Sequence, residues 1–409
     1  MIRAEGVAAE ATKPAPSWRP LLVSVLLGFF AAYSAFYLWV TAVRFAADPI
    51  GDFFGLWSCG RYILEHPAAQ VYDADALHAV QVAMGMRPAA EYPFPYPPTF
   101  LLALWPLGHL SYWTAFAAAI GGSLGLYLWA TLGARWRPVP LLWAVLAPTT
   151  VIGIVSGQIG FLASALLAGG VRLSASRPVL GGILFGLLTY KPQLGILVPV
   201  ALVAAGMWRT IAAAATTFAV LALATSVAFG PDIWAAWMLN IVGYSRQFAV
   251  ESSQILHLMP SVAPTLEAVG APTMLVWAAQ GLAAGFAIAV VWRCFRAGPS
   301  AMAGAVLFAA TFLATPHAFV YDMPIVATAV LWVVLDERQR GPPFSPVEIV
   351  VLILTAAAPI TLPAGGTRVP LVLLSLLLFV AMTARRCRRS VTPALSARAA
   401  VFPSVQGKR

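Results

Sequence analysis

Six of the chain's fifteen acidic residues fall in one stretch: Asp48, Asp52, Glu65, Asp73, Asp75 and Glu91. It opens on Asp48-Pro49-Ile50-Gly51-Asp52-Phe53-Phe54 and closes on Tyr92-Pro93-Phe94-Pro95-Tyr96-Pro97-Pro98-Thr99-Phe100, between apolar runs. A carboxylate placed beside a cavity can accept the proton of a hydroxyl nucleophile. Asp52 is the candidate for that work, with Asp48 as a second acid. Farther on come Gly157-Gln158, Tyr190-Lys191-Pro192-Gln193, Tyr244 and Arg246, and Pro316-His317 with Tyr321-Asp322. Lys191 is the only lysine between Lys13 and Lys408. It suits an anionic group, with His317 and Arg246 beside it in that role. Tyr96, Gln158, Gln193, Tyr321 and Asp322 suit sugar or acceptor hydroxyls.

Each of these residues also has a plainer role. Asp52 precedes an expected helix, where a carboxylate also serves as a cap. Asp48 before Pro49 reads as a turn residue. Gln158 can satisfy backbone groups at a tight turn, and Lys191 can snorkel to lipid headgroups. His317 can be structural, and Asp322 can answer a helix dipole.

The elements that position these groups are membrane helices. The chain has 409 residues, 60% hydrophobic and 10% charged, with a mean hydropathy of +0.83. Soluble domains carry about 25% charged residues. Apolar runs near the length of a crossing recur, and they do not alternate as barrel strands do. The chain is therefore expected to be an all-α polytopic membrane protein. The net charge of +10 is assigned to loops on the cytoplasmic side rather than to a nucleic-acid partner. Cys59, Cys294 and Cys387 have the spacing of neither a zinc site nor a disulfide framework. No metal ligand set is visible among the outer carboxylates, and no cofactor is expected.

Residues 1–19 are expected to form a cytoplasmic tail, residues 20–385 one membrane domain, and residues 386–409 a basic cytoplasmic tail. The first apolar run, 21–43, lacks a small-residue cleavage site and reads as a retained helix. Residues 44–110 form the first outer loop, with short helices at 57–65 and 74–84, the second capped by Asp73 or Asp75. The apolar run 98–107 is too short to span and reads as a re-entrant or juxtamembrane helix. Further spans are then expected near 112–132, 139–155, 159–172, 178–189, 193–207, 210–229, 272–292, 300–315, 320–335, 346–362 and 369–384, about twelve with the first. This arrangement puts nineteen of the twenty-five cationic residues on the cytoplasmic side, as the positive-inside bias requires. A second outer loop covers 230–271, with an amphipathic helix at 232–238. All the candidate site residues named above then lie on the outer side. Segments 178–189 and 193–207 are short, and the break at Thr189–Gln193 marks a backbone irregularity tolerated only beside a cavity.

Several motifs occur in a telling order. They are Asp52-Phe53 with Trp57-Ser58-x-Gly60-Arg61, Pro93-Phe94-x-Tyr96-Pro97-Pro98, Gly157-Gln158-x-Gly160, Tyr190-Lys191-Pro192-Gln193, and Pro316-His317 with Tyr321-Asp322. Together they resemble glycosyltransferase family 87, the polyprenol-phosphate-mannose-dependent α-mannosyltransferases of actinobacterial phosphatidylinositol mannoside synthesis and their bacterial relatives. The resemblance covers about residues 20–385. It implies a GT-C membrane fold in a bacterial inner (plasma) membrane, with an outward-facing cavity and an acidic residue at the start of the first outer loop. It also implies a polyprenyl monophosphate sugar donor and a histidine in the late outer loop placed close to the substrates, which favours His317. The chain departs from many relatives in carrying Cys59 where they have a small alanine.

The expected reaction moves a hexose, mannose by resemblance, to a lipid or glycan acceptor hydroxyl on the outer, periplasmic face. Inversion needs one displacement and one base, Asp52, whereas retention would need a second carboxylate as nucleophile. Two alternatives stay open: the same fold with another sugar such as arabinofuranose, or a non-catalytic flippase of lipid-linked sugars. A carrier would show polar groups at mid-membrane or an internal repeat. The sequence has few of the first and no visible second.

Overall fold

Proline marks where many helices begin. It is the first or second residue of seven of the helices described below, where its missing N–H removes no helical hydrogen bond. The computed structural model describes residues 18–47, 51–241, 255–340, 343–362 and 370–389. In order the helices are α1 (Trp18–Ala47), α2 (Asp52–Glu65), α3 (Ala74–Ala83), α4 (Leu101–Gly108), α5 (Tyr112–Phe116) and α6 (Gly122–Leu132). Next come α7 (Pro138–Leu146), α8 (Pro148–Ser156), α9 (Gly160–Ser174), α10 (Pro178–Leu187), α11 (Pro192–Gly195), α12 (Val198–Ala204) and α13 (Trp208–Phe229). Residues 233–241 form α14. The chain closes with α15 (Val262–Ala268), α16 (Thr273–Phe295), α17 (Ala301–Ala314), α18 (Pro324–Arg340), α19 (Pro346–Ala357) and α20 (Leu371–Arg389). Short 3-10 turns at Ala68–Tyr72, Pro98–Phe100, Leu188–Tyr190 and Val320–Asp322 connect several of them. The described residues contain no strand.

Among the described residues four helices are long and apolar enough to cross a membrane: α1, the continuous α5–α6 unit, α13 and α16. The α5–α6 unit is joined by a π-helical turn, Ala117–Gly121. The pair α7–α8, bent by 48° at Ala147 and Pro148, makes a fifth if it is one span. The other apolar helices are shorter than the ~20 residues of a full crossing. The expectation of about twelve spans is therefore not met by length and composition alone. Helix α4 with its 3-10 turn, Pro98–Gly108, falls among the short ones. The expected amphipathic helix near 232–238 is α14.

The core is centred on α17, in which every residue from Met302 to Ala314 is buried. It packs against α9, α16, α18 and α20. Glycines set the closest crossings. A Cβ on Gly108 of α4 would lie 2.8 Å from the backbone nitrogen of Arg61 in α2, so these two helices meet backbone to backbone. Likewise Gly182 and Gly186 of α10 press on α13, where Cβ atoms would lie 3.1 Å from the Ala214 nitrogen and 2.7 Å from its oxygen. Small residues four apart are what allows helices to approach this closely in a lipid setting. At the bundle end away from Asp52, Arg19 pairs with Glu337 at 3.1 Å and Arg386 grips Glu348 through Nε and Nη2 at 2.8 Å each.

Candidate active site

Helix α2 begins five residues earlier than its apolar pattern predicts, and this puts Asp52 in its first turn. The cap position belongs to Gly51, and no side chain caps the helix. The carboxylate is thus not used as a cap. Asp73, by contrast, does cap α3, accepting hydrogen bonds from the Asp75 and Ala76 amides at 3.1 Å. Phe53, the next residue, is buried and packs edge-on against Phe116 at 5.4 Å. This contact holds the start of α2 against α5.

Gln158 reaches Asp52 across 106 residues of sequence, its Nε2 donating to Oδ2 at 3.4 Å. A carboxylate can only accept, so the amide must turn its nitrogen to Asp52. Its Oε1 is left buried with no hydrogen-bond partner. Burial pushes the Asp52 carboxyl above its ordinary range, and the Gln158 hydrogen bond opposes that rise. Low dielectric disfavours the anion, which makes Asp52 a better proton acceptor than a solvated aspartate once it is ionised.

The turn that carries Gln158 is the hinge pin of the site. Gly157 ends α8 in the left-handed region, φ 66°, which glycine adopts without strain. A Cβ there would meet the Phe53 Cβ at 2.9 Å and the Phe116 ring at 3.2 Å. Three residues on, a Cβ on Gly160 would lie 2.8 Å from the Tyr321 carbonyl carbon and 3.3 Å from the Asp322 Cα, with the Tyr321 carbonyl oxygen nearer still. One turn therefore touches both the segment bearing Asp52 and the segment bearing Asp322.

Lys191 and Asp322 form a buried ion pair, Nζ to Oδ1 at 2.5 Å, with 2% and 0% of the two residues exposed. The ammonium also lies 4.9 Å from the centre of the Tyr321 ring, a cation–π contact. The second Asp322 oxygen accepts the Phe319 amide at 3.2 Å. Lys191 does not snorkel, and Asp322 does more than answer a helix dipole.

Aromatic rings join the two halves. Tyr96 stacks on Tyr190 at 6.5 Å and tilts against Phe100 at 5.1 Å, while Phe100 stacks on Tyr190 at 4.7 Å. Burial, then the Asp322 and Asp52 carboxylates, push the Tyr96 phenol up. Tyr96 therefore lies within the field of both acids. The structure thus brings Asp52, Tyr96, Gln158, Lys191, Tyr321 and Asp322 to one end of the bundle. Gln193 sits half-buried in the first turn of α11. His317 follows α17 in an exposed loop position, its amide donating to the Thr315 hydroxyl at 3.2 Å. Desolvation of its ring pushes the imidazole pKa down, and Glu267 opposes this. Arg246 and Asp48 lie outside the described residues. Among the described residues no group of three or more His, Cys, Asp or Glu is placed to hold a metal ion.

Sequence reasoning missed the two glycines as spacers and Tyr190 as the centre of the ring stack. It also missed Gln81, whose Nε2 ties the Ser58 hydroxyl of α2 to the Tyr92 carbonyl at 3.0 Å each. The glycines were visible in the Gly-Gln-x-Gly pattern, while Gln81 carried no signal beyond being a polar residue on a short helix.

The all-helical chain with several apolar helices is consistent with a membrane glycosyltransferase. Residues 94–316, more than half of the chain, match glycosyltransferase family 87, and the chain belongs to that family. It is accordingly an enzyme that takes a sugar from a donor to an acceptor. No curated protein and no solved structure matches it.

Proposed function

We propose that the chain moves a hexose, with mannose the first choice, from a polyprenyl monophosphate donor to a hydroxyl of a lipid or glycan acceptor. The reaction takes place on the outer face of the membrane, with inversion. The acceptor oxygen attacks the anomeric carbon and the bond from that carbon to the phosphate oxygen breaks. Asp52 takes the hydroxyl proton, and polyprenyl phosphate leaves with the bonding electrons. The observation that carries this reading is the half-buried, uncapped Asp52 held by Gln158.

Charge develops on the departing phosphate and needs donors already in place. Lys191 gives one N–H to Asp322 and keeps two more for the phosphate. His317 serves as a hydrogen-bond donor, and Arg246 as a second cation. Tyr96, Gln158, Gln193, Tyr321 and Asp322 border the sugar and acceptor. About twelve passes with both termini cytoplasmic rest on the distribution of the cationic residues among the loops. The buried donors and acceptors at one end fit a one-sided enzyme better than a carrier with alternating access.

The test uses Asp52→Asn and Asp52→Ala in membranes supplied with labelled polyprenyl-phosphate mannose. General-base catalysis contributes about 10²–10⁴-fold, and losses in that range are expected. Full transfer by a folded Asp52→Asn protein would remove the role given to Asp52.

A further inference from the structure

Helix α17 ends without the backbone donors that would complete it. The Thr315 amide closes the last turn on the Thr311 carbonyl at 3.0 Å. Pro316 has no N–H, and the His317 amide turns to the Thr315 hydroxyl at 3.2 Å. The Leu313 and Ala314 carbonyls are left over, on residues that are both buried. A helix end buried in this way needs partners from elsewhere. They come from Gln280 in α16, whose Nε2 donates to the Leu313 carbonyl at 3.0 Å and to the Ala314 carbonyl at 3.1 Å.

The other half of the same amide serves a second helix. Ser261, at the cap position of α15, makes no side-chain cap bond. The Ala263 amide in the first turn of α15 donates instead to Gln280 Oε1 at 3.1 Å. Gln280 is buried, and both of its N–H donors and its oxygen are spent on backbone groups that lipid would leave unsatisfied. One side chain thereby ties the end of α17 and the start of α15 to α16. Residues 315–319 then lead from α17 into the Val320–Asp322 turn. Their far end is held as well, through Asp322, which accepts the Phe319 amide and pairs with Lys191. His317 stands between these two anchors, and α15 carries the Glu267 carboxylate that acts on its ring.

We propose that Gln280 is a positioning residue for sugar transfer: by completing α17 and docking α15 it holds His317 where the imidazole reaches the donor phosphate. Its hydrogen bonds all go to backbone, so it acts through the histidine rather than on the substrate. The role rests on the phosphate contact given to His317 above. A glutamine that served the fold alone would have no reason to act on transfer through that one ring.

The test compares Gln280→Met, His317→Ala and the double variant of the full chain, in membranes supplied with labelled polyprenyl-phosphate mannose. Methionine keeps the length of glutamine and removes all three hydrogen bonds. Losing one preorganised donor costs about 10²–10³-fold in rate, the fall expected for His317→Ala. A displacement near 1 Å costs about 10²-fold, the fall expected for Gln280→Met. The double variant should be no slower than His317→Ala, because the glutamine then has nothing left to position. Gln280→Glu, whose neutral acid form keeps one O–H donor and one acceptor, should recover part of the rate. It also takes the place of Gln280→Met in the comparison if the methionine variant fails to fold. Leu282→Ala, at a residue of the same helix that is 77% exposed, should match the parent. Thermal unfolding of every variant separates lost transfer from lost fold. Losses that multiply in the double variant, or parent-level transfer by folded Gln280→Met, would overturn the proposal. Parent-level transfer by His317→Ala would overturn it too, while the transfer reaction and the role of Asp52 would still stand or fall on the Asp52 variants.

Discussion

Gly160→Ala tests how tightly the site depends on one turn. The added Cβ would lie 2.8 Å from the Tyr321 carbonyl carbon, whereas ordinary van der Waals contact begins at 3.4 Å. The Tyr321 oxygen is closer and must retreat farther. Both atoms are backbone, so no side-chain rotation relieves the clash. The 3-10 turn Val320–Asp322 has to move away from α9, and it carries Asp322, the partner of Lys191. Overpacking of this kind costs about 1–3 kcal/mol, a loss a folded membrane bundle withstands. The effect on chemistry is larger, since a displacement near 1 Å at a positioning group costs about 10²-fold in rate. The assay compares sugar transfer in membranes with thermal unfolding of the purified protein. Gly125→Ala in α6 is the control, because its Cβ would meet nothing within 4 Å. The expected result is a transfer rate down about a hundred-fold for Gly160→Ala, with a modest fall in stability, and no change for Gly125→Ala. Parent-level transfer by Gly160→Ala would refute the claim that this turn sets the geometry of the site.

Gln158→Leu removes the hydrogen bond that holds the Asp52 pKa down, so the acidic limb of the pH–rate profile should move to higher pH. Asp52→Asn should raise stability at neutral pH. The folded-state pKa is above the ordinary 3.8, so ionising Asp52 weakens the fold as pH rises through that interval, and the amide removes the effect; thermal unfolding at pH 3 and pH 8 would read it. Lys191→Met or Asp322→Leu alone strands a buried charge and should cost about 3–5 kcal/mol, while the double variant should unfold closer to the parent. Urea or thermal melts of all three proteins would show this non-additivity. Arg386→Lys keeps the charge but loses the two-point grip on Glu348, and should lower the melting temperature by the equivalent of about 1 kcal/mol.

The apolar runs made the helical membrane class legible, because lipid allows few other solutions for the backbone. The order of five motifs gave the family. Asp52 and Gln158 were both readable as candidates, yet their contact was not, since the two residues are separated by 106 positions and joined only by the Gly157 turn. Lys191 was read as a lone cation awaiting an anion. Its anion is Asp322, read beforehand for a hydroxyl or a helix dipole, because no local pattern reveals a partner 131 positions away. The start of α2 was placed late because Phe53 and Phe54 look like loop aromatics until Phe116 and Tyr92 are seen to cover them. The bend between α7 and α8 follows from Pro148, which the expected single span at 139–155 had absorbed.

The Lys191–Asp322 pair also has a consequence for how the chain is made. Synthesis delivers Lys191 to the membrane long before Asp322 exists. A lysine at the centre of a membrane helix costs about 2.5–3.5 kcal/mol on insertion scales. The break at Leu188–Tyr190 puts Lys191 past the end of a short helix rather than in its middle. Only after α17 has threaded and the Val320–Asp322 turn has emerged does the cation find its counter-ion and leave water. The ion pair is thus completed late in translation, by its second partner.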